Sequence, residues 1–132
     1  MNKTFAAVVA AGLMIGTTAT AKPPLSDVAF VREGIIATGM AFELSEKCGS
    51  LRARRLRGLN YLISLRNHAF DLGYTSAEVD AYIDNKAEEN RLKKIAYGRL
   101  RDLGTQRGNE ASYCAVGRAE IAKGSAIGRL LR

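Results

Sequence analysis

Leu72-Gly73-Tyr74-Thr75-Ser76-Ala77-Glu78 reads as the end of one helix and the beginning of the next. Glycine is the residue that most readily takes the left-handed conformation at a helix stop, so Gly73 closes what precedes it. Thr75 with Glu78 three residues later matches a capping box, in which the two side chains satisfy the exposed N–H groups of a helix start. Such a stretch expects helices on both sides, and the same punctuation recurs outward in both directions.

Upstream, a helix is expected from Leu51 to Leu72. Leu59, Leu62, Ile63, Ala69 and Phe70 share one side of it, with Arg57, Asn60, Ser64, Asn67 and Asp71 on the other. Arg66 projects into the apolar side. Before it, Cys48-Gly49-Ser50 ends a first helix and Ser50 caps the second. The first helix is expected to start near Ser26 or Asp27, with Val31, Ile35, Thr38, Gly39 and Phe42 on one face. Downstream, a short helix runs to about Ile83 and breaks at Asp84-Asn85. A fourth spans about Lys86 to Leu103 and stops at Gly104. Its apolar stripe is Leu92, Ile95, Ala96, Leu100 and Leu103, opposite Lys94, Tyr97 and Arg101. Asn109 caps a fifth from Glu110 to Lys123, where Cys114, Gly117, Arg118 and Ile121 share a face. Gly124-Ser125 breaks the chain before Ala126 to Arg132. Proline is absent after Pro24, and β-branched alternation is missing. The expectation is all-α: a compact bundle of five helices, six if the last residues form one, closed by one disulfide.

The first 21 residues have the order of a signal peptide: Lys3, an uncharged run from Phe5 to Ile15, and Ala19-Thr20-Ala21 as a small-x-small cleavage pattern. The apolar run is about half the roughly 20 residues a membrane span needs. Residues 22–132 then form one soluble helical domain in the periplasm or outside the cell. The two cysteines, Cys48 and Cys114, fit that address, because a pair in an exported small domain reads first as a disulfide. Cys48, Cys114 and His68 lack the clustered spacing of a metal site, so no metal and no cofactor is expected.

The chain carries 20 Lys+Arg against 13 Asp+Glu, a formal net charge of +7. Arg52, Arg54, Arg55 and Arg57 crowd the expected start of the second helix. At about 100° per residue they would wrap around it rather than line one groove, which, with export, argues against a nucleic-acid surface. Lys93, Lys94, Tyr97 and Arg101 make one basic patch, suited to anionic lipid, acidic wall polymer or an acidic protein. Arg66 and Arg118 sit among apolar positions and are expected to be buried charges. Arg118, four residues after Cys114, would pair with Glu43 or Glu46 or bind a small anion.

Ser64, His68 and Asp71 resemble a triad on paper, but side chains of one helix point outward side by side, and no nucleophile elbow or oxyanion hole accompanies them. Glu43 with Glu46, and Glu78 with Asp80 and Asp84, are acidic pairs of a spacing common by chance. No residue is therefore assigned as catalytic.

Ser112-Tyr113-Cys114-Ala115-Val116-Gly117-Arg118-Ala119-Glu120-Ile121, then Gly124-Ser125-Ala126-Ile127-Gly128-Arg129-Leu130-Leu131, resembles an uncharacterised family of small exported bacterial proteins with the pattern SYCxVGRxEIxxGSxIGxLLR. Cys48-Gly49-Ser50-Leu51 and Leu72 to Glu78 resemble it too. The resemblance implies export and paired cysteines but lends no activity. The expected function is a non-catalytic binding or accessory protein of the bacterial envelope, meeting an envelope protein or an anionic envelope component. A periplasmic chaperone or stress protein is the second reading and a small envelope hydrolase the third.

Overall fold

A computed structural model describes Gly16 and residues 20–132. The signal peptide expected over residues 1–21 lies outside the described residues, apart from Gly16, Thr20 and Ala21. Among the described residues the chain forms five α-helices: α1 (Ala29–Lys47), α2 (Arg55–Asp71), α3 (Ser76–Ile83), α4 (Lys86–Leu103) and α5 (Glu110–Lys123). Short 3-10 turns, Leu25–Asp27 and Gly128–Leu130, precede and follow them. No strand forms among the described residues, and the all-α class holds.

Local chemistry sets most helix ends. Gly73, with φ of 88°, turns the chain out of α2. Both halves of the capping box are made: Thr75 N–H donates to Glu78 at 2.7 Å, and Glu78 N–H donates to the Thr75 hydroxyl at 3.2 Å. Asn85 accepts from Glu88 N–H at 3.1 Å, and Asn109 accepts from Ser112 N–H at 3.2 Å, so each opens its helix as a side-chain cap.

α1 occupies the centre, packed against α2, α4 and α5. It therefore buries a wide face. Ile36, Met40 and Leu44 are sealed in the main core with Leu92, Leu100, Val116 and Leu131. The stripe expected from periodicity is only partly right. Val31 is buried, but Gly39 is exposed and Phe42 is 59% exposed. A second, smaller core gathers Leu25, Val31, Ala69, Tyr74 and Val79 near the N-terminal end of α1.

Three expected boundaries are corrected. Neither Ser26 nor Asp27 caps α1: they lie in the first 3-10 turn, and α1 begins after Val28 with no side-chain cap. α2 begins at Arg55 rather than Leu51, and Ser50 does not cap it. Residues 51–54 are instead extended and sewn to the C-terminal residues. Arg52 N–H donates to Arg132 at 2.7 Å, Arg132 N–H donates back at 2.9 Å, and Arg54 N–H donates to Leu130 at 2.8 Å. These long-range bonds satisfy backbone groups that a helix would otherwise use, which is why local propensity loses here. The residues after Ser125 accordingly form no sixth α-helix. They make one 3-10 turn, closed by buried Leu130, and an extended end that begins with buried Leu131.

Cys48 and Cys114 form the disulfide. It joins the C-cap of α1 to α5, with Cα atoms 5.2 Å apart across a sequence separation of 66. The same corner is held by Gly49 N–H, which donates to the Glu110 carboxylate at 2.9 Å.

Candidate functional site

The extended segment 51–54 has a consequence for charge. In an extended chain alternate side chains fall on one side. Leu51 goes into the core while Arg52 and Arg54 stay exposed, and α2 starts with Arg55 and Arg57 beside them. With Arg132 from the paired C-terminal segment, these arginines line a single open cleft of about 840 Å³. Five arginines thus line a space from which the helical-wheel argument would have scattered them. The expectation that they wrap around a helix is corrected, because Arg52 and Arg54 are not in the helix.

Two of the five are held in place. Arg54 donates through Nε to the Leu131 carbonyl at 3.0 Å, and Arg57 donates to the Arg129 carbonyl at 3.3 Å. None of the five forms an ion pair among the described residues, and Glu46 is the one carboxylate side chain in the lining. Like charges so gathered repel one another and attract an anion, and the guanidinium fork matches carboxylate or phosphate geometry. Phe42 and Leu56 line the same cleft, and Leu56 is 73% exposed. The chemistry on offer is recognition of an acidic group with apolar neighbours.

The expected basic patch on α4 is only partly assembled. Tyr97 and Arg101 line a second cleft, of about 490 Å³, with Glu43, Lys47, Arg107 and Tyr113. Lys93 is diverted: it pairs with Glu89 at 2.6 Å. That ion pair and a second to Lys86 hold the Glu89 carboxyl down at about 2, the Lys86 bond contributing most. Lys94 is exposed and lines neither cleft.

The two buried arginines are corrected. Arg66 is exposed, its guanidinium over the Phe70 ring at 5.1 Å. Arg118 is also exposed, and neither Glu43 nor Glu46 pairs with it. Both readings rested on misassigned stripes. Of the side expected on α2 Ala69 is buried, but Leu59, Leu62 and Ile63 are exposed and Leu65 takes the core instead, while α5 buries Val116 and Glu120 beside Cys114 and Gly117. The buried charge is instead Glu120, which accepts from Lys123 at 2.8 Å. Burial works against its ionised form, yet the Lys123 and Ser125 bonds outweigh that and hold its pKa below the ordinary carboxylate value.

Other candidates are structurally engaged. His68 lies against Phe30, ring centroids 4.5 Å apart, while the Ser64 hydroxyl donates to the Tyr61 carbonyl at 2.6 Å. No hydrogen bond joins His68 to Ser64 or Asp71 among the described residues. Glu43 and Glu46 open onto different clefts. Glu78 accepts from Lys22 as well as from the Thr75 N–H. Cys48, Cys114 and Glu110 place potential ligand atoms within 4.8 Å of one another, but both sulfurs are committed to the disulfide.

Among the described residues no helix is long and apolar enough to cross a membrane. A family model, a family of unknown function designated DUF5333, matches residues 23–132, and the chain belongs to that family. No curated protein and no solved structure matches the chain.

Proposed function

We propose that this DUF5333 member is an exported, non-catalytic binding protein of the bacterial envelope that takes an acidic, partly apolar protein segment into its arginine-lined cleft. The single observation behind this reading is the convergence of Arg52, Arg54, Arg55, Arg57 and Arg132 on one concave surface with Glu46 as the only carboxylate side chain there. A concave basic surface suits a protruding anion better than a flat one. Exposed Phe42 and Leu56 beside the arginines give the aromatic, apolar and guanidinium mixture that dominates protein-binding energetics. Export is supported by the signal-peptide order of residues 1–21 and by a disulfide that persists in oxidising compartments.

A chaperone reading has one observation in its favour. Phe30, Leu59, Ile63 and Ile83 are exposed apolar side chains away from the arginines' cleft. Large exposed apolar patches mark interaction surfaces.

A fluorescent peptide of mixed Glu and Leu residues tests the proposal by anisotropy. Arg52→Glu/Arg55→Glu should weaken binding about tenfold or more, a change of about 1.4 kcal/mol. Lys94→Glu/Arg101→Glu should leave it nearly unchanged. Salt at about 0.5 M should weaken the wild-type complex by screening. Equal losses in both double variants would remove the cleft as the site. Binding to phosphatidylglycerol vesicles in preference to the peptide would assign a membrane instead. Suppression of client aggregation that ignores both charge reversals would favour the chaperone.

A further inference from the structure

A second concavity lies on a different side of α2. At about 100° per residue, Leu62, Leu65, Arg66 and Ala69 point away from Leu56, Arg57 and Asn60, which face the arginine cleft. Where the two cores fail to merge, α1, α2, α3 and α4 enclose an apolar groove of about 290 Å³. Its walls are Val31, Ile35, Leu65, Val79 and Leu92, and its lip is apolar as well: Leu62 is 41% exposed and Ile83 is 62% exposed.

The rim is charged, and its charges are unequally committed. Glu88 is held by Arg91 through two hydrogen bonds, at 2.6 and 2.8 Å, and accepts from the Tyr82 hydroxyl at 3.3 Å. Glu89 is held by Lys86 and Lys93. Burial, reinforced by the neighbouring Glu88 carboxylate, pushes the Tyr82 phenol up to about 12, so it remains a hydrogen-bond donor to Glu88. Arg66 lines the same groove and has no carboxylate partner among the described residues. An apolar trough edged by a guanidinium that stacks on Phe70 but pairs with no carboxylate among the described residues, facing acids already held in ion pairs, is complementary to one kind of ligand.

We infer that the groove between α2 and α3–α4 is a binding site for a single-chain amphiphile, its hydrocarbon tail lying on Leu65 and Leu92 and its anionic head meeting Arg66. At about 290 Å³ the groove is at the small end of ligand sites, which suits one short hydrocarbon chain rather than a two-chain lipid. Such a chain leaves water for an apolar wall that is already built, which supplies the affinity. Arg66 supplies orientation and selects the sign of the head. This site is separate from the arginine cleft, and neither reading requires the other.

The oxidised protein is titrated with decanoate, decanol and decyltrimethylammonium, following the methyl signals of Leu62 and Ile83. Decanoate is expected to shift both signals saturably. Decanol is expected to bind about fivefold more weakly, the ceiling for a half-exposed ion pair worth about 1 kcal/mol. Leu62→Glu, at the exposed lip, should abolish binding while the fold stays intact by circular dichroism. Arg66→Ala should bring decanoate down to the affinity of decanol and leave decanol unchanged. Lysophosphatidylglycerol with the same chain separates a lipid headgroup from a free acid. Whichever of the two binds more tightly assigns the source, and both must bind better than decanol. Absence of any shift with decanoate, or binding of the cationic amphiphile as tight as that of the anion, would overturn the inference.

Discussion

Opening the Cys48–Cys114 bond should cost this fold about 4 kcal/mol, and the figure follows from where the bond sits. The sequence separation it spans is 66, and the loop contains α2, α3 and α4 entire. In the chain-entropy account a loop of that length removes roughly 15 cal/mol/K from the unfolded ensemble, about 4 kcal/mol at 25 °C. An ordinary domain has only about 5–15 kcal/mol in total, so the reduced protein should be marginal. The assay is urea unfolding of the oxidised protein beside the same protein with its disulfide reduced, which keeps every atom of the core. With a slope near 1.5–2 kcal/mol per molar urea, the midpoint should fall by about 2–3 M. Cys48→Ala/Cys114→Ala should fall by at least as much, since both sulfurs are buried. A midpoint lowered by less than about 0.5 M in both comparisons would refute the reasoning. It would mean that the unfolded chain is already compact enough for the bond to remove little entropy from it.

Other perturbations report on separate parts of the structure. A Cβ added at Gly128 would collide with the Glu120 backbone carbonyl, so Gly128→Ala should cost roughly 1–3 kcal/mol and loosen the C-terminal turn, visible as faster amide exchange at Arg52 and Arg54. Thr75→Ala removes one half of the capping box and should cost about 1 kcal/mol in urea unfolding. Glu33 is held below its ordinary carboxyl value chiefly by the Arg99 hydrogen bond, and Glu88 chiefly by Arg91. Lowered folded-state pKa values mean that the unfolded chain binds protons first. Their stabilisation is therefore present above the ordinary value of 4.5 and is lost as pH falls through the folded values. The melting temperature should be flat near neutral pH and decline below about pH 4.5, less steeply in Glu88→Gln. A melting temperature that rises on acidification contradicts the assignment.

Helix punctuation was legible because it is local. Gly73, Thr75, Glu78, Asn85 and Asn109 act on backbone groups within a few residues, and the stop at Gly73 and the box at Thr75 are found where the residues suggest. The pairing of Cys48 with Cys114 was legible because two cysteines admit one intramolecular bond. The faces were harder. α1 carries apolar residues on more than one stripe because three helices pack on it, and periodicity alone chose the stripe with Phe42 over the one with Met40 and Leu44. On α2 Ala69 faces the core as its spacing suggests, but the large residues Leu59 and Ile63 are exposed and Leu65 is buried in their place. The misplaced stripes on α2 and α5 then carried Arg66 and Arg118 inward on paper.

The arginine cleft was missed for a related reason. Arg52-Ala53-Arg54-Arg55-Leu56-Arg57 is conspicuous in the chain, but its geometry depends on backbone bonds to Leu130 and Arg132, far away in sequence. Residue spacing cannot announce such a pairing. A weak signal was present: Arg52 and Arg54 alternate with Leu51 and Ala53, the period of an extended segment.

A photoreactive residue placed at Leu56, inside the cleft, in cells that produce the full chain tests the account most directly, with exposed Ala115 on α5 as the comparison. The account predicts one discrete adduct from Leu56 with an envelope protein that has an acidic segment at the crosslink, none from Ala115, and loss of the adduct in Arg52→Glu/Arg55→Glu. An adduct that survives that charge reversal, or equal labelling from both positions, would contradict it.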